Sequence, residues 1–327
     1  MSIINKWGKY WLPDNKSNSD KRILYYDVIK IIAAFLVVFY HYAFYRLDYG
    51  FIPEKIYYPN ANRIIMCFAS CCVPLFFLVN GSLMFSKHKR VKKVYLKIIK
   101  IGCLIIVWSY VGFPSWFFKT LMILYALFPF FQYCWEKKRH VYYAICILVF
   151  VMPFLFNFGV LGLRLIGVRR LHITGVFTMY SILYFLLGPI LNQITMKPTR
   201  IITLIITGWA MVILECVIYT NIDNSMYDGV NAAFPTLGAL MLSCGVFLNV
   251  KYFNWKRFEH IIVWLGNSIL PVYLLHMAFI NFLISFAETM KLNICSALLG
   301  SLIIFLVCTL VGNFMKRLPV VCWSVKI

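Results

Sequence analysis

The sequence predicts an all-α fold, a polytopic transmembrane helix bundle of about ten spans with both termini in the cytoplasm. Hydrophobic residues make up 62% of the 327 residues and charged residues only 13%, whereas a soluble domain has roughly a quarter charged residues. The apolar residues are gathered in runs of roughly 20, the length that a helix needs to cross the hydrocarbon core. Short basic clusters separate these runs, which is typical of cytoplasmic loops.

Ten apolar runs follow one another along the chain, and a helix is the form in which such a run satisfies its own backbone in lipid. The fifth run is the least regular, since it is rich in Phe and interrupted by Pro153. The predicted spans cover residues 24–45, 66–86, 95–112, 115–134, 141–157, 174–193, 200–220, 231–250, 261–285 and 293–315.

Short loops between the runs predict one membrane domain over residues 24–315. A basic leader (residues 1–23) precedes it and a short tail (residues 316–327) follows it, and we expect both in the cytoplasm. The leader has no apolar core of its own, so it is not a cleavable signal peptide. The first span is therefore expected to direct insertion into the membrane.

The distribution of Lys and Arg sets the predicted orientation. With the N-terminus inside, the inner segments hold 21 basic residues and the outer loops hold seven. This is a clear excess of basic residues on the inside. It also accounts for the net charge of +21 without a nucleic-acid partner, because the basic residues lie between apolar runs and not on one domain face.

Cysteine usage indicates neither a disulfide framework nor a metal site. Eleven Cys are present, and nearly all lie inside apolar runs. Their spacing does not match that of metal ligands, so most are interpreted as small residues that pack between helices. No bound metal or other bound cofactor is expected.

Four ionisable residues fall inside spans and are the first candidates for function. Only His41 and His276 among the six His, and only Asp27 and Glu215 among the eleven acids, lie within predicted spans. Ionisable groups in a membrane are expensive and usually face a bundle interior or a wet cavity.

The first span, which contains "DVIKIIAAFLVVFYH", places three such groups on one helix face. Eleven residues separate Lys30 from His41, which is about 1100° of rotation and leaves an offset of about 20°. Asp27 lies on the same stripe, about one turn before Lys30, and the rise from Lys30 to His41 is roughly 16 Å. Asp27 and Lys30 could also simply reach the membrane surface from the helix end, but His41 lies too deep for that.

The ninth span supplies the second deep imidazole, His276. It lies about as far from the inner end of its span as His41 does from its own, so the two could share one layer of the membrane and form a catalytic site. Glu215 is also predicted in the outer half. It could orient an imidazole, balance Arg164, Arg169 or Arg170, or serve as a structural, hydrogen-bonded acid.

These groups fit acyl transfer. A neutral imidazole takes a proton from a hydroxyl as that hydroxyl attacks an acyl carbon, and a nearby acid can hold it in the right tautomer. A cation at the inner end of the same helix suits the phosphates of a cytosolic donor. A proton-coupled transporter could use the same groups.

The chain resembles the acyltransferase-3 family of bacterial integral membrane proteins over roughly residues 22–320. The family motif of a basic residue, ten residues and His matches Lys30 and His41, with Lys in place of the frequent Arg. The second span, "VPLFFLVNGSLMF", resembles the Phe-Phe-x-x-Ser-Gly block, with Asn80 in place of Ser. Later blocks match "WFFKTLMILYALFP", "YFLLG" and "LGNSILPVYLLH".

The resemblance is strongest to stand-alone members that O-acetylate surface polysaccharides, such as enterobacterial common antigen. It implies that residues 24–315 move an acetyl group from cytosolic acyl-CoA, as co-substrate, to a hydroxyl of a surface or lipid-linked glycan at the inner membrane. His41 would be the catalytic base, and Lys30, with Asp27, would bind the donor.

Further candidates for substrate binding come from the matched blocks and from the predicted outer loops. These are Trp116, Tyr273 and Asn80 in the blocks, and Arg164, Arg169 and Arg170 in the loops. Two rival functions remain open at this point: a transporter or exporter of a polysaccharide or its lipid-linked precursor, and a structural subunit of a glycan-synthesis complex. The predicted partners are the bilayer, acyl-CoA and a glycan, and the oligomeric state is not predicted.

Overall fold

The computed structural model describes residues 22–47, 60–86, 91–109, 114–165, 176–223, 236–286 and 293–317. Every regular element in these ranges is an α-helix or a short 3-10 helix. The α-helices are α1 (Leu24–Arg46), α2 (Ala61–Met66), α3 (Cys72–Phe85), α4 (Val91–Trp108), α5 (Trp116–Lys137), α6 (Arg139–Leu165), α7 (Val176–Gln193), α8 (Pro198–Asp223), α9 (Leu237–Tyr252), α10 (Glu259–Asn267), α11 (Ile269–Phe286) and α12 (Ile294–Met315).

The prediction of an all-helical membrane protein is confirmed, but the number of spans is not. Among the described residues, five helical stretches are long and apolar enough to cross a membrane, and a bent pair of helices could add a sixth. The helix α4 matches a predicted span but carries four lysines in 18 residues. Ten spans and cytoplasmic termini therefore stay predictions.

Helix α1 lies at the centre of the bundle. It packs against α3, α9, α10, α11 and α12, and its residues Ile29, Ala33 and Ala43 are fully buried. A helix surrounded in this way presents its polar groups to other helices and not to lipid. The stripe that carries Asp27, Lys30 and His41 is therefore enclosed by protein.

Glycines allow α3 and α7 to cross at very close range. A Cβ added to Gly81 would lie 1.9 Å from the carbonyl oxygen of Phe185, and one added to Gly188 would lie 2.2 Å from that of Leu78. Ser82 fixes the same crossing, because its hydroxyl donates to the carbonyl of Gly188 at 2.7 Å. Small residues are favoured where membrane helices pack, since they bring the backbones together.

Breaks between helices shape the region beside the start of α1. The axes of the segments Leu237–Tyr252 and Lys256–Asn267 meet at 86°, so α10 turns back toward α1. A Cβ on Gly266 would lie 3.0 Å from the Cβ of Asp27. The short break at Ser268 then begins α11, which carries Tyr273 and His276.

Candidate active site

The ion pair at the start of α1 includes one cation more than the sequence predicted. Lys30 Nζ lies 3.5 Å from Asp27 Oδ1, as the spacing of the two residues suggested. Arg22, which the sequence placed in the leader, holds the other oxygen of the same carboxylate, with Nε 2.5 Å from Asp27 Oδ2. Asp27 is buried, so two cations compensate the cost of burying its charge.

A cavity of about 770 Å³ opens beside this ion pair. Four of the predicted site residues contribute to its wall: Asp27, Lys30, Asn80 and Tyr273. The remaining lining residues are Arg22, Phe76, Leu83, Lys97, Ile101, Phe117, Phe118, Leu121, Tyr125, Gly266, Asn267, Ile269, Leu270, Asn313 and Lys316. The lining thus contains four cations and one acid, and the site attracts anions.

One wall of the cavity is an ordered polar chain. Tyr125 donates its hydroxyl to Asn80 Oδ1 at 3.1 Å, and Asn80 Nδ2 donates to the carbonyl of Phe76 at 2.8 Å. Lys97 Nζ lies 5.7 Å from the centre of the Tyr125 ring, within the range of a cation–π contact. The Asn at position 80 therefore fixes Tyr125 and can present polar atoms to a ligand.

Two helix ends far apart in sequence contribute to the cavity wall near the first turn of α1. Arg22 Nη1 donates to Asn267 Oδ1 at 2.9 Å, and Lys316 Nζ donates to the carbonyl oxygen of Asn267. Ser268 Oγ donates to Asn313 Oδ1 at 2.9 Å. None of these residues was predicted from the sequence. The one signal for them was the presence of basic residues at the predicted inner ends of the first and last spans.

Aromatic rings form another part of the cavity wall. The ring of Tyr273 packs against those of Phe117 and Phe118, with centroid separations of 5.4 and 5.2 Å, and its hydroxyl donates to the carbonyl of Pro114 at 3.1 Å. Trp116 does not line the cavity; its side chain is 42% exposed and packs on Phe117. A role for Trp116 in substrate binding stays a prediction.

The two histidines selected from the sequence lie side by side. Their ring centroids are 5.3 Å apart and the ring planes meet at 39°, so the prediction that they share one layer of the bundle is confirmed. His276 is fully buried and His41 is half-buried. Nδ1 of His276 lies 2.7 Å from the carbonyl oxygen of Tyr273.

Tyr273 connects the cavity to the histidines. Its ring lines the cavity, and the ring centroid lies 5.6 Å from that of His276. The two imidazoles are not among the described residues that line the cavity, so the ring contact of Tyr273 with His276 links the two parts of the site. The arrangement can hold an anionic group at one end and exchange a proton at the other.

Glu215 belongs to α8, and its carboxylate lies beside the first turn of α9. Its Oε1 accepts the backbone N–H of Gly238 at 3.2 Å, and a carboxylate in this position offsets the positive end of a helix dipole. The hydrogen bond described for Glu215 thus supports a helix terminus, and a catalytic role stays a prediction. The side chain of Arg164, and Arg169 and Arg170 entirely, lie outside the described residues.

Acid, His and Cys side chains do not gather into a metal site in the described part of the chain: no group of three or more is found there. The cavity and the imidazole pair are therefore the features that need a functional explanation.

Comparison with known families identifies the chain. The model of the acyltransferase-3 family, described as an acyltransferase domain, matches residues 23–114 and 110–313. The chain belongs to the acyltransferase-3 family. The match includes α1 with Lys30 and His41 as well as α11 with Tyr273 and His276. No curated protein and no solved structure matches the chain significantly.

Proposed function

We propose that this acyltransferase-3 protein is an O-acyltransferase of the inner membrane. It transfers an acetyl or other acyl group from cytosolic acyl-CoA to a hydroxyl of a cell-surface or lipid-linked glycan. The observation that supports this most directly is the continuity of the site along α1. Lys30 and Tyr273 both line a cation-rich cavity, the ring of Tyr273 packs against that of His276, and His276 packs against His41.

The cavity suits the phosphate-bearing part of the donor. Arg22, Lys30, Lys97 and Lys316 contribute to its wall, and Asp27 is the acid among its lining residues. The volume of about 770 Å³ lies within the usual range of ligand pockets. The predicted topology puts this end of α1 at the cytoplasmic face, where acyl-CoA is available.

The separation between Lys30 and His41 suits an extended carrier arm. The rise along α1 between them is roughly 16 Å, and Phe117, Phe118 and Tyr273 line the same cavity as Lys30. Apolar and aromatic walls favour an uncharged chain over water. The phosphates would therefore stay near Lys30 while the thioester reaches the imidazoles.

The reaction needs one base and produces one free thiol. His41 removes the proton of the acceptor hydroxyl as its oxygen bonds to the thioester carbonyl carbon. The carbon–sulfur bond then breaks, and the CoA thiolate takes up the proton that His41 held. Asn80 and Tyr273 are positioned to contact the donor, while Arg164, Arg169, Arg170 and Trp116 are proposed for the glycan.

The test is transfer of label from [¹⁴C]acetyl-CoA to membrane glycans by detergent-purified protein. We expect His41→Ala to lower the rate by about 10²–10⁴-fold, the usual contribution of a general base. His260→Ala is the matched control, because His260 is exposed on α10, and it should transfer at the wild-type rate.

A His41→Ala protein that acetylates glycan within a fewfold of wild type would exclude His41 as the base. A protein that binds glycan but neither binds nor hydrolyses acetyl-CoA would instead indicate the transporter or exporter.

A further inference from the structure

The imidazole of His276 has one nitrogen that the described structure leaves without a partner. Nδ1 faces the carbonyl oxygen of Tyr273 at 2.7 Å. Nε2 is buried and has no hydrogen-bond partner. A buried polar atom without a partner destabilises the fold, so its presence beside a proposed catalytic residue calls for an explanation.

The Tyr273 contact determines which nitrogen of His276 carries the proton. A carbonyl oxygen can only accept, so Nδ1 must be the N–H donor. In the neutral ring the other nitrogen is then an acceptor. Nε2 of His276 therefore carries a lone pair that can accept a hydrogen bond.

The ring of His41 is positioned to supply that donor. Its centroid is 5.3 Å from that of His276, a separation at which aromatic rings are in contact. Among the described residues, Tyr273 also packs its ring against that of His276, but the hydroxyl of Tyr273 donates to the carbonyl of Pro114. A rotation of the neutral His41 ring would direct its one N–H group toward Nε2.

We propose that His276 is a positioning residue, whose Nε2 accepts the N–H of His41 during the reaction and so turns the other ring nitrogen of His41 toward the acceptor hydroxyl. The inference rests on the proposed function, in which His41 is the base. When His41 takes the proton of the hydroxyl, the N–H bonded to Nε2 stays in place and the positive charge is shared with a neutral acceptor.

A neutral partner suits this location better than a carboxylate. An isolated carboxylate buried without compensation is costly, and His276 is fully buried. The backbone of α11 orients His276 without adding a second charged group, because the carbonyl of Tyr273 holds the imidazole in one tautomer. The pair thus reproduces the orienting function of an acid–histidine pair without a second ion.

The test compares substitutions that keep or remove the acceptor atom. His276→Gln places an amide oxygen near the position of Nε2, whereas His276→Phe and His276→Leu fill the space without an acceptor. We expect Phe and Leu to lower the turnover rate at least tenfold with an unchanged KM for acetyl-CoA, and Gln to restore most of the rate. Thermal unfolding of each purified variant verifies that it is folded.

A second readout follows the proton itself. The ¹⁵N chemical shifts of the His41 ring, in His-labelled protein saturated with coenzyme A, report which nitrogen carries the proton. The His41→Ala spectrum assigns the signals. We expect one tautomer of His41 in wild type and His276→Gln, and a mixture of tautomers in His276→Phe.

The two readouts separate this inference from the proposed function. A folded His276→Phe or His276→Leu protein that turns over at the wild-type rate overturns the positioning role, as does an unchanged His41 tautomer in His276→Phe. Neither result affects the assignment of His41 as base, which fails only if His41→Ala retains transfer.

Discussion

The charge of Asp27 is shared unequally between two cations, and this determines what Lys30 can bind. Arg22 makes the close contact, 2.5 Å, whereas Lys30 lies 3.5 Å from the other carboxylate oxygen. Because Arg22 already compensates the carboxylate, Lys30 can direct its ammonium to a second anion in the cavity. Asp27 then fixes Lys30 without neutralising it.

We predict that Lys30→Ala weakens binding of coenzyme A by roughly 10–100-fold, since a hydrogen bond to a charged group contributes about 1.5–3 kcal/mol. Lys30→Arg should bind as well as wild type or better, because a guanidinium can contact phosphate through two hydrogen bonds. Isothermal titration calorimetry on detergent-purified protein measures both.

Lys92→Ala is the matched control for this measurement. Lys92 is an exposed lysine on α4 and does not line the cavity, so its removal should leave the affinity unchanged. Equal affinities for Lys30→Ala and Lys92→Ala would mean that Lys30 does not bind the donor and that its side chain only reaches toward the membrane surface. Lys97 and Lys316 would then be the next lysines to test.

At the scale of helices, the site depends on crossings that admit no side chain. The backbones of α3 and α7 meet at Gly81 and Gly188. Asn80 immediately precedes Gly81, so this contact positions the polar wall of the cavity as well as the helices. A change at the crossing should therefore disturb both stability and donor binding.

We predict that Gly81→Ala lowers the free energy of unfolding by about 1–3 kcal/mol or more, the usual cost of an extra methyl group in a packed interior. The new Cβ would meet the carbonyl oxygen of Phe185, which cannot move without displacing α7. Thermal unfolding in detergent, followed by tryptophan fluorescence, measures the change.

Gly102 offers the control, because a Cβ there would have only the end of the Met122 side chain nearby, at 3.8 Å. Gly102→Ala should be neutral or stabilise α4 slightly, since Ala is the better helix former by about 1 kcal/mol. Similar unfolding midpoints for Gly81→Ala and Gly102→Ala would contradict the close crossing.

The sequence predicted those parts of the site that depend on the period of a single helix. Asp27, Lys30 and His41 are on one stripe of α1 because their spacing requires it. Matched depth in two spans predicted that His41 and His276 could share one layer. Depth alone does not say which helices are neighbours, and for that reason neither the direct ring contact of the two histidines nor the position of the Glu215 carboxylate beside α9 was foreseen.

The second wall of the cavity could not be predicted for the same reason. Asn267 and Lys316 approach Arg22 because α10 and α12 both pack on α1. That packing depends on the 86° bend before α10 and on contacts between helices distant in sequence. Neither the apolar runs nor the basic clusters contain this information.

At the scale of the whole molecule, the distribution of basic residues leads to a prediction of orientation. We expect residues 87–93 and 251–257 to face the cytoplasm, and residues near 50–60, 160–170 and 222–229 to face outward. The reason is the ratio of 21 inner to seven outer basic residues, which the positive-inside rule relates to topology.

Single cysteines, introduced into protein that lacks its own eleven, test this orientation. In intact cells an impermeant maleimide should label the outward segments and should reach residues 87–93 only after the cells are broken. Labelling of 87–93 in intact cells, together with protection of 222–229, would reverse the proposed orientation.

The placement of the cations and the imidazoles at separate positions along α1 has a kinetic consequence. The donor can occupy the cavity beside Lys30 while the space beside His41 is empty. The acceptor can then bind before any product has left. The proposed chemistry also needs no acylated form of the enzyme. Initial rates measured against both substrates should then give intersecting double-reciprocal lines, the pattern of a ternary complex, and not the parallel lines of a ping-pong exchange.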